Sequence, residues 1–364
     1  MHQPNGSRNI DWEGRTVHLS FIPEHAYHCI WPYISTSLSQ PKIKNYKILY
    51  EKDPSLGRRT NVTMFEGLEP FTLTTQDDPH VAIYGLKSGA ANANASRPAL
   101  LLLHGFPQSR HIWHRVAPQL LGQYTLVIPD LRGYGESSKP ASVEAYAKSA
   151  MARDFISVMD QLGHKTFYVC AHDRGARVAH KMCVDFPDRV LKVMLLDICP
   201  TLAMFDKTNF DFAKAYFHWF FLIQPAPLPE TMIAGDPRKV LSLFMGGRQS
   251  KGLEIFDEDC FNYYTSIFEK PDAVHAMCND YRAAATLDLD EAREDLRQDR
   301  KIKCPVRVLW GKYGVIEKCF DALAEWRAVS DAGVAVEGQA VESGHYIPEQ
   351  IPEDVVATIQ DFFS

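Results

Sequence analysis

The eight cysteines form no recognisable pattern. Cys29, Cys170, Cys183, Cys199, Cys260, Cys278, Cys304 and Cys319 are scattered, and no two are spaced as a zinc knuckle or a C-x-x-C redox pair. Several sit in apolar runs, such as Cys170 in "TFYVCAH", as small buried hydrophobes in a reducing compartment do. No apolar run is long enough to span a bilayer. No basic n-region with an apolar h-region opens the chain, and "QDFFS" at its end carries no lipidation or targeting signal. Long blocks of like charge are missing too, and the formal net charge is -6, so nucleic acid is not the expected partner. Internal repeats are absent. These absences leave a soluble cytoplasmic protein as the expectation, with no membrane partner. Its 364 residues, 46% of them hydrophobic, suffice for one large core or two modest domains.

Residues 1–63 have apolar side chains but no steady period, and we expect a loosely structured extension there. A first core segment follows over 64–204. "EPFTLTT" and "HVAIYGL", separated by the turn-rich "QDDP", suggest an antiparallel hairpin. "PALLLLHG", "YTLVIPDLRG", "TFYVCAH" and "RVLKVMLLDICP" read as strands buried on both faces, alternating with amphipathic stretches such as "SVEAYAKSAMARDFISVMDQLG". That alternation predicts an α/β fold with a mostly parallel sheet and helices on both faces. Over 205–300 the strands stop and helical segments broken by "QPAPLPE" predict a helical cap insertion. The core resumes over 301–364 with "CPVRVLWG", "GVAVEGQAVESGH" and a closing helix, "PEDVVATIQDFF".

In a parallel α/β sheet, chemistry gathers at the carboxyl ends of the strands. There "AHDRG" has the small-x-nucleophile-x-Gly spacing of a nucleophile elbow, with Asp173 at the centre. With "HGFP" (104–107) and "DLRGYGESSKP" (130–140), this resembles the α/β-hydrolase superfamily over roughly residues 64–364. "HDRGAR", "FHWFF", "QPAPLPE" and "CNDYRA" are similar to haloacetate dehalogenases of the fluoroacetate dehalogenase type. The Asp makes chemical sense by itself. A serine attacking a saturated carbon would leave an inert ether, whereas an aspartate leaves an ester that water can hydrolyse. The competing reading is an Asp that merely caps the following helix.

Water activation calls for a late histidine, and His345 in "VESGHYIPEQ" follows the last strand. Two acids could orient it. Glu317 is the nearest acid after "PVRVLWGKYG". Asp197 ends "VMLLDICP", where a lone carboxylate is costly unless paired. The resemblance favours Asp197, with Glu317 as the alternative. Backbone N–H groups of Phe106 and Arg174 are the expected oxyanion donors.

Arg174 and Arg177 share a face at the start of a helix, where the macrodipole is already positive. Asp173 can compensate one of them, and a substrate carboxylate the other. The plainer alternative pairs them with surface acids such as Asp185 or Asp188. The resemblance implies that both arginines bind a haloacetate carboxylate, and that His218, Trp219 and Tyr281 cradle the departing halide. Tyr216, Phe217, Phe220 and Phe221 read as packing.

The expected activity is hydrolysis of a short 2-haloacid, fluoroacetate among them, to the 2-hydroxyacid and halide, with no cofactor and no metal. Epoxide hydrolysis is the rival, using the same triad and an acid from Tyr281, Tyr263 or Tyr264. A non-catalytic binding protein on the same fold is the rival of another class. The partner is a small-molecule substrate, and a homodimer is an assembly the residues leave open.

Overall fold

The structure, a computed structural model, describes residues 64–89, 97–247 and 252–364. The expected extension over 1–63, with Cys29, lies outside the described residues. Eight strands form one sheet: β1 (Leu68–Gln76), β2 (Val81–Ser88), β3 (Ala99–Leu103), β4 (Thr125–Pro129), β5 (Phe167–His172), β6 (Val190–Leu196), β7 (Val306–Gly311) and β8 (Val336–Val341). Their spatial order is β1-β2-β4-β3-β5-β6-β7-β8. The β1–β2 hairpin and the β2–β4 pair are antiparallel, and every other pairing is parallel.

The near-continuous apolar runs have the expected cause. In β3, β5 and β6 alternate side chains feed two cores, one on each face of the sheet. Leu101, Leu103, Val169, Ala171, Val193 and Leu195 face one; Leu100, Leu102, Cys170, Met194 and Leu196 face the other. Six of the described cysteines are buried free thiols, and Cys319 is half-buried. Among the described residues no helix is long and apolar enough to cross a membrane.

The helical stretch between β6 and β7 begins at Thr201, directly after Pro200, and ends at Arg297. "FDKTNFDFAKAYFHWFFLIQ" is not one helix. Asn209 caps a new one, its side chain accepting from the Phe212 N–H at 2.9 Å. Tyr216 then interrupts the helix again, so Phe210–Ala215 and Phe217–Leu222 are separate helices. These breaks allow His218 and Trp219 to turn inward while Phe217 stays exposed. "DLRGYGESSKP" is a brace: Asp130 accepts from the Arg110 N–H at 2.9 Å and pairs with its guanidinium, fixing the segment after "HGFP".

Candidate active site

The β5 strand stops at His172, and the Asp173–Asp185 helix starts at once. Asp173 absorbs the change of direction with φ 46°, a strained value for a residue with a Cβ. The two glycines around it answer to space. A Cβ at Gly175 would fall 2.3 Å from the His104 carbonyl oxygen, and one at Gly105 would fall 2.5 Å from the Asp173 Cβ. Close approach at Gly105 lets the Phe106 N–H donate to Asp173 Oδ1 at 3.0 Å. The Arg174 backbone nitrogen lies against the same Gly105. The other carboxylate oxygen, Oδ2, lies 3.9 Å from His345 Nε2. Burial favours a neutral Asp173, but its surroundings, His345 first and Arg177 and Arg174 after it, outweigh burial and hold the carboxyl below its ordinary range.

Asp197 also has positive φ, 53°, at the end of β6. Its Oδ1 accepts from the Gly311 N–H at 2.8 Å, and its Oδ2 takes His345 Nδ1–H at 2.6 Å. In the neutral imidazole that bond places the ring proton on Nδ1, so Nε2, on the side of Asp173, is the nitrogen that can accept one. Glu317 is not part of this arrangement; it is exposed and accepts from Trp310 Nε1. Asp173, Asp197 and His345 are thus brought together at the carboxyl edge of the sheet. Two residues that sequence reasoning left out support His345. His172, kept neutral by a burial that pushes its pKa down to about 3, donates Nε2–H to the His345 carbonyl at 2.8 Å. Tyr216, read as packing, brings its hydroxyl within 3.4 Å of His345 Nδ1.

The two arginines differ in the acids that face them; Asp173 acts on Arg177 at longer range. Asp173 does not compensate Arg174; Asp280 does, with Arg174 Nε at 2.8 Å and Nη2 at 2.7 Å. Adjacent helical residues point in different directions, so the side chains of 173 and 174 diverge. Arg174 also packs under the Tyr281 ring, 4.4 Å from its centroid. Arg177 lies over the Trp219 ring at 4.7 Å and gives Nη1–H to Thr201 Oγ1 at 2.9 Å. Among the described residues no carboxylate is within ion-pair distance of it. Asp185, the surface acid considered above, pairs with Lys181 at 2.8 Å instead. Burial, and then Arg174, pull the Arg177 pKa below its usual value.

His218, Trp219 and Tyr281 are all buried against this region. Phe106 stacks on His218 with centroids 6.1 Å apart and meets Tyr281 at 5.1 Å; Tyr281 lies 5.7 Å from His218 and 6.3 Å from Trp219. Three buried nitrogen donors in this cluster have no hydrogen-bond acceptor among the described residues: Arg174 Nη1, Arg177 Nε and Trp219 Nε1. A cavity of 260 Å³ lies beside Arg177, lined also by Thr201, His180, Lys148 and Asp288, and by neither Asp173 nor His345.

Fold and site together define an α/β hydrolase, and the chain belongs to the α/β-hydrolase fold family. The family model for that fold matches residues 98–236. Among individual relatives, the chain is 38% identical over 304 residues to a fluoroacetate dehalogenase from Burkholderia sp, covering 83% of this chain and 95% of the relative. It is 31% identical to a soluble epoxide hydrolase from Corynebacterium sp. (strain C12), covering 80% of this chain and 99% of that one. A solved structure from Nostoc sp PCC 7120, named as an alpha/beta hydrolase, is 43% identical with a TM-score of 0.76, covering 82% of this chain and 99% of its own.

Proposed function

We propose that the protein is a hydrolytic dehalogenase of short 2-haloacids, with haloacetates, fluoroacetate included, as the substrate class. Asp173 Oδ2 attacks the halogen-bearing carbon, the carbon–halogen bond breaks, and an aspartyl ester forms. His345 Nε2 then takes a proton from water while Asp197 stabilises the imidazolium. The hydroxide attacks Asp173 Cγ, and negative charge develops on Oδ1, where the Phe106 N–H already donates and the Arg174 N–H is the second candidate donor. Collapse breaks the Cγ–Oδ2 bond; the leaving alkoxide takes the proton from His345 Nε2 and departs as the 2-hydroxyacid, and Asp173 gives up the remaining water proton to solvent as its carboxylate is restored. Arg174 and Arg177 hold the substrate carboxylate, and His218, Trp219 and Tyr281 receive the halide.

The observation that carries this reading is made among the described residues: three buried donors without acceptors, beside a buried cation, Arg177, with no acid in ion-pair contact. An unmade hydrogen bond of this kind costs about 1–3 kcal/mol, more for a charged group, and an anionic substrate removes that cost. A neutral epoxide would leave Arg177 unanswered. Two of the three tyrosines an epoxide hydrolase could use are also engaged. Tyr263 accepts from Arg110 at 3.1 Å and donates to Glu136 at 3.2 Å; Tyr264 donates to Glu349 at 3.1 Å and accepts from Gln108 at 3.3 Å. The test is to incubate the purified protein with fluoroacetate, chloroacetate and styrene oxide. Halide release with little diol supports the dehalogenase reading, and diol without halide overturns it in favour of epoxide hydrolysis.

A further inference from the structure

Arg174 and Arg177 are buried on one helix, yet their surroundings differ in kind. Arg174 gives Nε–H and Nη2–H to the two carboxylate oxygens of Asp280, and Nη2 also reaches the Asp280 carbonyl at 2.7 Å. Asp280 is wholly buried, accepts the Tyr134 hydroxyl at 2.7 Å, and pairs with Lys148. Lys148 in turn has a second acid, Asp288, at 3.4 Å. Two cations, Arg174 and Lys148, therefore meet two carboxylates, Asp280 and Asp288, and the group sums to no net charge. Arg177 has no such partner among the described residues.

Resting on the haloacid reading above, we propose that Asp280 is a positioning residue that sets both the aim and the effective charge of Arg174. Held at Nε and Nη2, the planar guanidinium cannot turn, and Nη1 is the nitrogen left to meet a substrate. With its charge largely offset by the Asp280 carboxylate in contact with it, Arg174 serves mainly as a fixed hydrogen-bond donor. Among the described residues, Arg177 is the cation of this pair with no carboxylate in ion-pair contact; Asp173 reaches it only at longer range. The site is thereby matched to a monocarboxylate, and among the described residues a second carboxylate on the substrate finds no second cation without a contacting acid. Burial works against ionisation of Asp280, but Arg174 and Lys148 overcome it and hold its carboxyl well below the usual range, so the charge persists at neutral pH.

The test uses steady-state chloroacetate turnover, with the product glycolate and the dicarboxylate succinate as competitive inhibitors. In Asp280→Asn, kcat should fall by about tenfold or more, because Arg174 loses its fork and alignment. Inhibition by succinate should instead tighten by about threefold or more relative to glycolate, because Arg174 regains its charge. In an Arg174→Met background, Asp280→Asn should change either quantity by less than about threefold, since the effect runs through Arg174. Asp280→Glu keeps the charge but shifts the fork. It should lower kcat without changing the succinate-to-glycolate ratio, and it serves as the test if the Asn variant does not fold. A residue that only stabilises the fold would weaken both inhibitors together and would act equally in the Arg174→Met background. Wild-type protein that releases no halide defeats the haloacid reading. Active wild type, with an Asp280→Asn variant of normal kcat or unchanged anion preference, leaves that reading standing and overturns this inference, as does an Asp280→Glu variant that gains succinate preference.

Discussion

Replacing Arg177 with Met isolates the charge that the site reserves for its substrate. Methionine approximates the length of the aliphatic stem and keeps apolar contact with Trp219, over which the guanidinium now lies at 4.7 Å. What disappears is a charge-assisted hydrogen bond to the substrate carboxylate, worth about 1.5–3 kcal/mol. The Coulomb limit is of the same order, about 4 kcal/mol for unit charges 4 Å apart at an effective dielectric of 20. Arg177 is 2% exposed, so solvent screening takes little from this figure. The expected loss is roughly 10- to 150-fold in kcat/KM for chloroacetate, since each 1.36 kcal/mol is tenfold. A larger part should fall on KM than on kcat, because the carboxylate is held in ground state and transition state alike. Lysine should rescue only in part, since an ammonium lacks the planar fork. Chloride release is followed with an ion-selective electrode, and chloroacetamide, the neutral counterpart of chloroacetate, is assayed in parallel against an Asp173→Asn background. The amide should lose little. Equal losses on both substrates, with an unchanged circular dichroism spectrum, would refute the reasoning and make Arg177 a packing residue.

Asp197→Asn should reduce turnover severely, because His345 Nδ1 loses its carboxylate, whereas Glu317→Gln should leave kcat near wild type; the reverse result in halide-release assays would move the orienting acid to the later strand. Glu349 gives a pH prediction. It lies buried with Gln108 and Tyr264, and burial pushes its carboxyl up to about 8. A raised acid binds its proton more tightly in the folded state, so its contribution is fully present below the unfolded value near 4.5 and is lost as pH rises toward 8. Thermal melts of wild type should therefore show a stability decline between about pH 5 and 8 that Glu349→Gln flattens. Parallel profiles for the two proteins would remove Glu349 as the cause.

The sheet was legible because burial on both faces demands unbroken apolar runs, as in "ALLLL" of β3. The elbow was legible because space demands small residues at fixed spacing around Asp173. Asp197 could be picked out because a charge at the end of such a strand needs a partner. Asp280 could not be assigned as the partner of Arg174: it is one acid among many, and the pairing spans 106 positions between a core helix and a helix of the insertion. Tyr216 was hidden for a similar reason. It sits in an aromatic run that reads as packing, and the interruption between two short helices at that residue places its hydroxyl 3.4 Å from His345 Nδ1.

The central claim is that Asp173 carries the substrate as an ester that His345 must clear. His345→Asn, mixed with excess chloroacetate and examined by intact mass and peptide mapping, tests it most directly. The account predicts that chloride release stops near one equivalent, with the protein heavier by one carboxymethyl group located on Asp173. Chloride release at the wild-type rate with no adduct, or an adduct on any residue other than Asp173, would contradict it.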